Sequence, residues 1–149
     1  MIMVKEVIFL EYMEFKMEES EKIIRKILGP MQSDIRPFVC AVEQIRKLMF
    51  KDNRNISDIV LSKDVYPAVA VTLDKSEAAI SRQALRIANI CWTLFDKSEM
   101  LKEKYIGKNI KDINAPRDMF FYFAYYFQYG QPFYKFLECD NQEVLEKEI

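Results

Sequence analysis

The sequence predicts an all-α fold, a single helical domain of about six helices containing a helix-turn-helix. Three observations predict it. Apolar residues recur at helical spacing along nearly the whole chain, and they make up half of its 149 residues. Glycine and proline punctuate that periodicity where helices should stop or start, at Gly29-Pro30 and Tyr66-Pro67. A chain of this length buries a real core as one domain, and no internal repeat or low-complexity linker divides it. The expected organisation is an N-terminal extension over 1–19, the helical domain over 20–137 and an acidic C-terminal tail over 138–149.

The elements follow in order. Val4, Ile8, Tyr12 and Phe15 have helix-like spacing, although Val7 to Leu10 also reads as a strand-like run. Ile23, Ile24, Ile27 and Leu28 form an apolar stripe that ends at Gly29-Pro30. A second helix is expected from about Asp34 to Phe50. Phe38, Ala41, Val42, Ile45, Leu48 and Met49 face inward on it, and Arg36, Glu43, Arg46 and Lys47 outward. Asp52-Asn53-Arg54-Asn55 is a polar turn, after which Ser57 is placed to cap a short helix through Ile59, Val60 and Leu61. Tyr66-Pro67 opens the next helix, with proline in the first turn, where its missing N–H costs nothing. Leu73-Asp74-Lys75 is a turn. Asp74 and Glu77 then have the spacing of a capping box for a longer helix to about Phe95. On that helix Ile80, Ala84, Ile87 and Cys91 form the buried stripe, while Ala78, Arg82, Leu85, Arg86 and Asn89 lie opposite. A short helix, a tight turn and a longer helix with a polar and basic outer face make a helix-turn-helix arrangement, which is also common in plain helical bundles.

Composition closes most routes to an enzyme. The chain has no histidine, so no Ser-His-Asp triad, Cys-His dyad or imidazole base can form. The usual His/Cys zinc sites are excluded in the same way. Its three glycines are far apart, which excludes a phosphate loop or a dinucleotide fingerprint. Asp and Glu remain as acids and bases, yet no recognisable constellation places a pair of them. No catalytic residue, cofactor or metal is expected. Cys40, Cys91 and Cys139 are odd in number and widely spaced, which reads as reduced thiols in a cytoplasmic protein. The longest uncharged run, Met119 to Tyr134, has 16 residues with Gly130 and Pro132 inside it, too short and too interrupted to span a membrane.

Charge is unevenly distributed. The formal net charge is -1, but residues 1–21 and 138–149 each carry -4, leaving +7 on residues 22–137. A basic centre suits phosphates, because its cations displace counterions from nucleic acid. It also suits plain solvation of helix faces. The pI near 5.7 argues that any DNA affinity is local and specific.

The run from Leu61 to Trp92 resembles the C-terminal DNA-binding effector domain of the stage-zero sporulation response regulator of endospore-forming bacteria. Tyr66, Pro67, Ala70, Ile80, Arg82 and Trp92 fill that family's pattern. Ile23-Ile24 through Leu28-Gly29 and Ile35 to Phe38 are similar to its first helix, glycine turn and second helix. Asn114 to Phe120 resembles the turn into its last helix. The resemblance covers roughly residues 20–128 and implies an all-helical domain that reads the DNA major groove. Where the family has Glu-Arg-x-x-Arg-His, this chain reads Ser81-Arg82-Gln83-Ala84-Leu85-Arg86, which implies a different target sequence. Residues 1–20 are too few for the family's phosphoacceptor receiver domain, so regulation by aspartyl phosphorylation is not expected.

Arg82 and Arg86 are the leading candidates for contact with double-stranded DNA. An arginine fork pairs bidentately with guanine O6 and N7 or with a phosphate. Ala78, Ser81 and Asn89 share their face. Lys75 and Ser76 sit at the helix N-terminus, where a phosphate is favoured. Lys104, Lys108 and Lys111 are candidates for flanking phosphates, or a solvated basic loop. Leu85 either meets a thymine methyl or marks a face that meets protein. Phe120 to Phe136 holds 11 aromatic residues in 17, more than one core stripe requires, and is expected to expose a surface for a homodimer or a protein partner. The leading expectation is a sequence-specific, dimeric transcriptional regulator. The alternative is an interaction module of the same fold that has lost DNA binding and acts through its aromatic C-terminal surface.

Overall fold

The computed structural model describes residues 17–107 and 116–132. The expectations for Val4 to Phe15, Lys108, Lys111, Phe133 to Phe136 and Cys139 lie outside the described residues. Among those described the chain is all-helical, with six α-helices and no strand. These are α1 (17–28), α2 (Arg36–Phe50), α3 (Tyr66–Leu73), α4 (Glu77–Lys97), α5 (Glu99–Tyr105) and α6 (Asp118–Tyr129).

The apolar stripe of α1 ends where expected. Gly29 adopts φ +74°, and its N–H donates to the Arg25 carbonyl at 2.9 Å, closing the helix with a left-handed residue. Arg25 then turns back on the loop. Its guanidinium donates to the carbonyls of Met31 (2.6 Å) and Ser33 (3.0 Å), satisfying backbone groups that no helix can.

Helix α2 is the hub, packed against α3, α4 and α6. All six residues expected to face inward are buried. Glu43 overturns its outward assignment, being 4% exposed. The reason is tertiary. Ser20 of α1 covers that flank and donates to the Glu43 carboxylate at 2.6 Å, and Arg46 pairs with it at 3.4 Å. These donors replace the water that the buried carboxylate has lost.

The short helix expected after Ser57 is replaced by two short irregular turns, one tighter and one wider than an α-helix. A 3-10 turn spans Ile56–Asp58 and a π turn Leu61–Val65, with no cap from Ser57. Asp64 organises them instead. Its carboxylate accepts the Val60 N–H at 2.8 Å and pairs with Arg54 at 3.1 Å, holding the connection in an irregular path.

Phe123 of α6 joins the core rings. It lies 5.8 Å from Phe38 of α2, 5.9 Å from Phe95 of α4 and 6.1 Å from Tyr105 of α5, centroid to centroid. Phe38 also meets Phe120 at 5.1 Å. Four helices thus converge on one aromatic cluster, in the tilted and edge-on geometries that the ring quadrupole favours.

Candidate nucleic-acid interface

The outer face of α4 depends on how α4 begins. Asp74 takes φ +53° and ends α3 as a left-handed residue, so it does not form the expected capping box with Glu77. Ser76 is the N-cap. Its hydroxyl accepts the Ala79 N–H at 3.1 Å. Both residues are good cap formers, and the two-residue difference is set by the chain reversal, which needs one left-handed position before α4 can start. Ser76→Ala is expected to cost about 0.5–2 kcal/mol, read as a lower urea midpoint. Asp74→Gly should cost nothing or stabilise slightly, because glycine accepts the left-handed conformation freely. A large loss on Asp74→Gly would return the capping role to Asp74.

The inner face fixes the rotation of α4. Ile80, Ala84, Ile87 and Cys91 are all at 0% exposure, as the periodicity predicts, and Ala88 and Phe95 extend the stripe. Burial drives the Cys91 thiol up to about 12 and that of Cys40 to about 11, so both stay protonated. Gln83 adds a polar latch, donating to the Asp34 carbonyl at 2.8 Å.

With the inner face held, Ala78, Arg82, Arg86 and Asn89 are exposed on the other side. Ser81 is half-buried. Arg82 and Arg86 form no ion pair among the described residues. Leu85 corrects its helical-wheel assignment. It is half-buried, packed against the core cluster and lining a cavity with residues of the 56–62 connection and α6. A helix wheel cannot register cover supplied by other elements. Leu85 therefore belongs to the flank of the basic ridge, not to its crest.

Lys75 is exposed beside the α4 N-terminus, but it is engaged. Its Nζ lies 3.2 Å from Asp34 Oδ2, while Arg36 Nε lies 3.1 Å from Asp34 Oδ1. One carboxylate thus draws two cations from separate helical regions to one place, and Arg36 joins the neighbourhood of the candidate site. The sequence reading missed this cluster; Arg36 showed only as an outward residue of α2. Hydrogen bonds from the Arg36 side chain, opposed in part by burial, hold the Asp34 carboxyl at about 2, below its ordinary 3.8. Asp34 therefore adds stability above about pH 4 and loses it as pH falls towards 2. Asp34→Asn is expected to cost about 1 kcal/mol or less at pH 7, the group being largely solvated. That gap should close at pH 2, and equal urea midpoint differences at both pH values would remove the carboxylate from this role.

Lys104 is exposed on α5, with its Nζ 5.3 Å from the Tyr105 ring centre. The rings of α6 are more deeply used than their number suggested. Phe120 and Phe123 are buried, and Phe121, Tyr122, Tyr125, Tyr126 and Phe127 are half-buried against the core. Of these α6 rings only Tyr129 is exposed, and it stacks edge-on with Phe50 at 5.3 Å. Much of the aromatic surface of residues 120–129 is thus taken up by packing, because α2, α4 and α5 all draw on the same helix.

Among the described residues no group of three His, Cys, Asp or Glu side chains could hold a metal ion. None of their helices is long and apolar enough to cross a membrane. No family model, curated protein or solved structure matches the chain.

Proposed function

We propose that the chain is a sequence-specific duplex-DNA-binding transcriptional regulator that reads the major groove with α4. The observation that carries the reading is the exposed ridge Ala78, Arg82, Arg86 and Asn89 on a helix whose opposite face is wholly buried. Fixed inner packing turns four outer side chains into a preorganised edge. From Ala78 to Asn89 the ridge runs about 16 Å along the helix axis, roughly five base pairs of duplex. An α-helix fits the major groove, which is about 12 Å wide. A short preceding helix and a three-residue turn, Asp74 to Ser76, match the helix-turn-helix plan. The +7 balance over residues 22–137 and the resemblance of the Leu61–Trp92 run point the same way.

Ala78 and Arg82, one turn apart, suit base edges, as does the Arg86–Asn89 pair beyond them. Lys75, Ser76 and Arg36 suit backbone phosphates near the α4 N-terminus. The test is selection of a random duplex library on the purified protein at low and at physiological salt. An enriched motif establishes a reader and supplies its operator, and any dyad symmetry in the motif reports binding as a dimer. A folded protein that enriches nothing at either salt would sink the proposal.

A further inference from the structure

A cavity of about 650 Å³ lies between the 56–62 connection, the flank of α4 and the start of α6. This size falls within the range of small-molecule sites. Its walls include Tyr66, Leu85, Phe121, Tyr122 and Tyr125, with Arg117 at the α6 N-terminus. One feature gives it charge. Arg117 is exposed and unpaired among the described residues. Its neighbour Asp118 lies in the first turn of α6, where the helix dipole already offsets a carboxylate, which leaves the guanidinium as the uncompensated charge.

We propose that this cavity binds an aromatic monocarboxylate. The ring system lies among Phe121, Tyr122 and Tyr125, and the carboxylate pairs with Arg117. Aromatic walls favour a flat ring over an alkyl chain through edge and offset contacts. A planar guanidinium favours a carboxylate, which it can grip with two hydrogen bonds. This site stands apart from the reading of DNA by α4, since neither Arg82 nor Arg86 forms part of it.

The probe is 6-hydroxy-2-naphthoate, titrated into the full chain by calorimetry and compared with its carboxamide. Saturable binding of one molecule per chain is expected, with the carboxamide about 10- to 100-fold weaker, as for loss of a charge-assisted contact. Arg117→Gln should weaken the naphthoate by a similar factor. Arg82→Ala/Arg86→Ala should bind the naphthoate as the parent does. Equal affinity for acid and carboxamide overturns the carboxylate assignment. No heat at millimolar naphthoate, from protein shown by circular dichroism to be folded, overturns the site itself.

Discussion

Replacing Arg82 and Arg86 together by alanine is expected to weaken binding to the selected operator by roughly 30-fold to 10⁴-fold. Each arginine that grips a guanine or a phosphate contributes about 1–3 kcal/mol. Two on one ridge, a turn apart, are close enough to act jointly. The fold should be untouched, because both side chains are exposed and surface changes of this kind fall within about 0.5 kcal/mol. Loss of DNA affinity at an unchanged urea midpoint is therefore the expected signature.

Salt dependence separates two modes of contact. If both arginines met phosphates, the double variant would release about two fewer counterions, and the slope of log K against log salt would fall by about 1.8. If they read bases, the slope would hold while discrimination among operator variants collapsed. Their position on the crest, with Lys75, Ser76 and Arg36 grouped at the N-terminal end, favours base reading by the crest. Single variants at Lys75 or Arg36 should then lower affinity evenly across sequences. Retention of both motif and affinity by the double variant would displace α4 as the reading helix.

What the sequence made legible was the part of the structure governed by local periodicity. Ile80, Ala84, Ile87 and Cys91 are buried together because 3.6 residues per turn places them on one side, whatever the helix packs against. The same rule placed Phe38, Ala41, Val42 and Ile45 inside. It failed where a second element supplied the cover. Glu43 is buried beneath Ser20 of α1, and Leu85 is half-buried where α4 shares a cavity with the 56–62 connection and α6, facts that no helical wheel contains. Local chemistry was ambiguous at the start of α4, since Asp74 and Ser76 are both competent caps and only the path of the turn decides between them. The Asp34, Arg36 and Lys75 cluster was invisible for a further reason. Its members are brought together across 41 residues by the packing of α2 against α3 and α4. The surplus of rings in α6 is shared between the core and its flank. Composition counts aromatic residues but not the number of helices that will share them.

That last point carries the other large prediction. Phe123→Ala should cost about 3–5 kcal/mol, the usual range for emptying a buried phenylalanine site. A domain of this kind holds about 5–15 kcal/mol in all, so the variant loses a large part of its stability and, at the lower end, does not fold. The expected severity follows from position. Phe123 is 1% exposed and touches rings from α2, α4 and α5 as well as Phe127 one turn along its own helix. No single neighbour can relax into the space without leaving another ring, so most of the cavity persists. Phe123→Leu, which keeps most of the volume, should cost about 1–2 kcal/mol. Phe121→Ala, at a half-buried ring in the cavity wall, should fall well below Phe123→Ala. Thermal unfolding of the three variants checks the order. If Phe123→Ala melted like the parent, or less severely than Phe121→Ala, the aromatic helix would serve an outer surface and not the core. Because α4 packs on α2 and α6, the same variant should also lose operator binding as its near-UV dichroism collapses, even though Phe123 lies among the core rings and not on the Arg82–Arg86 ridge.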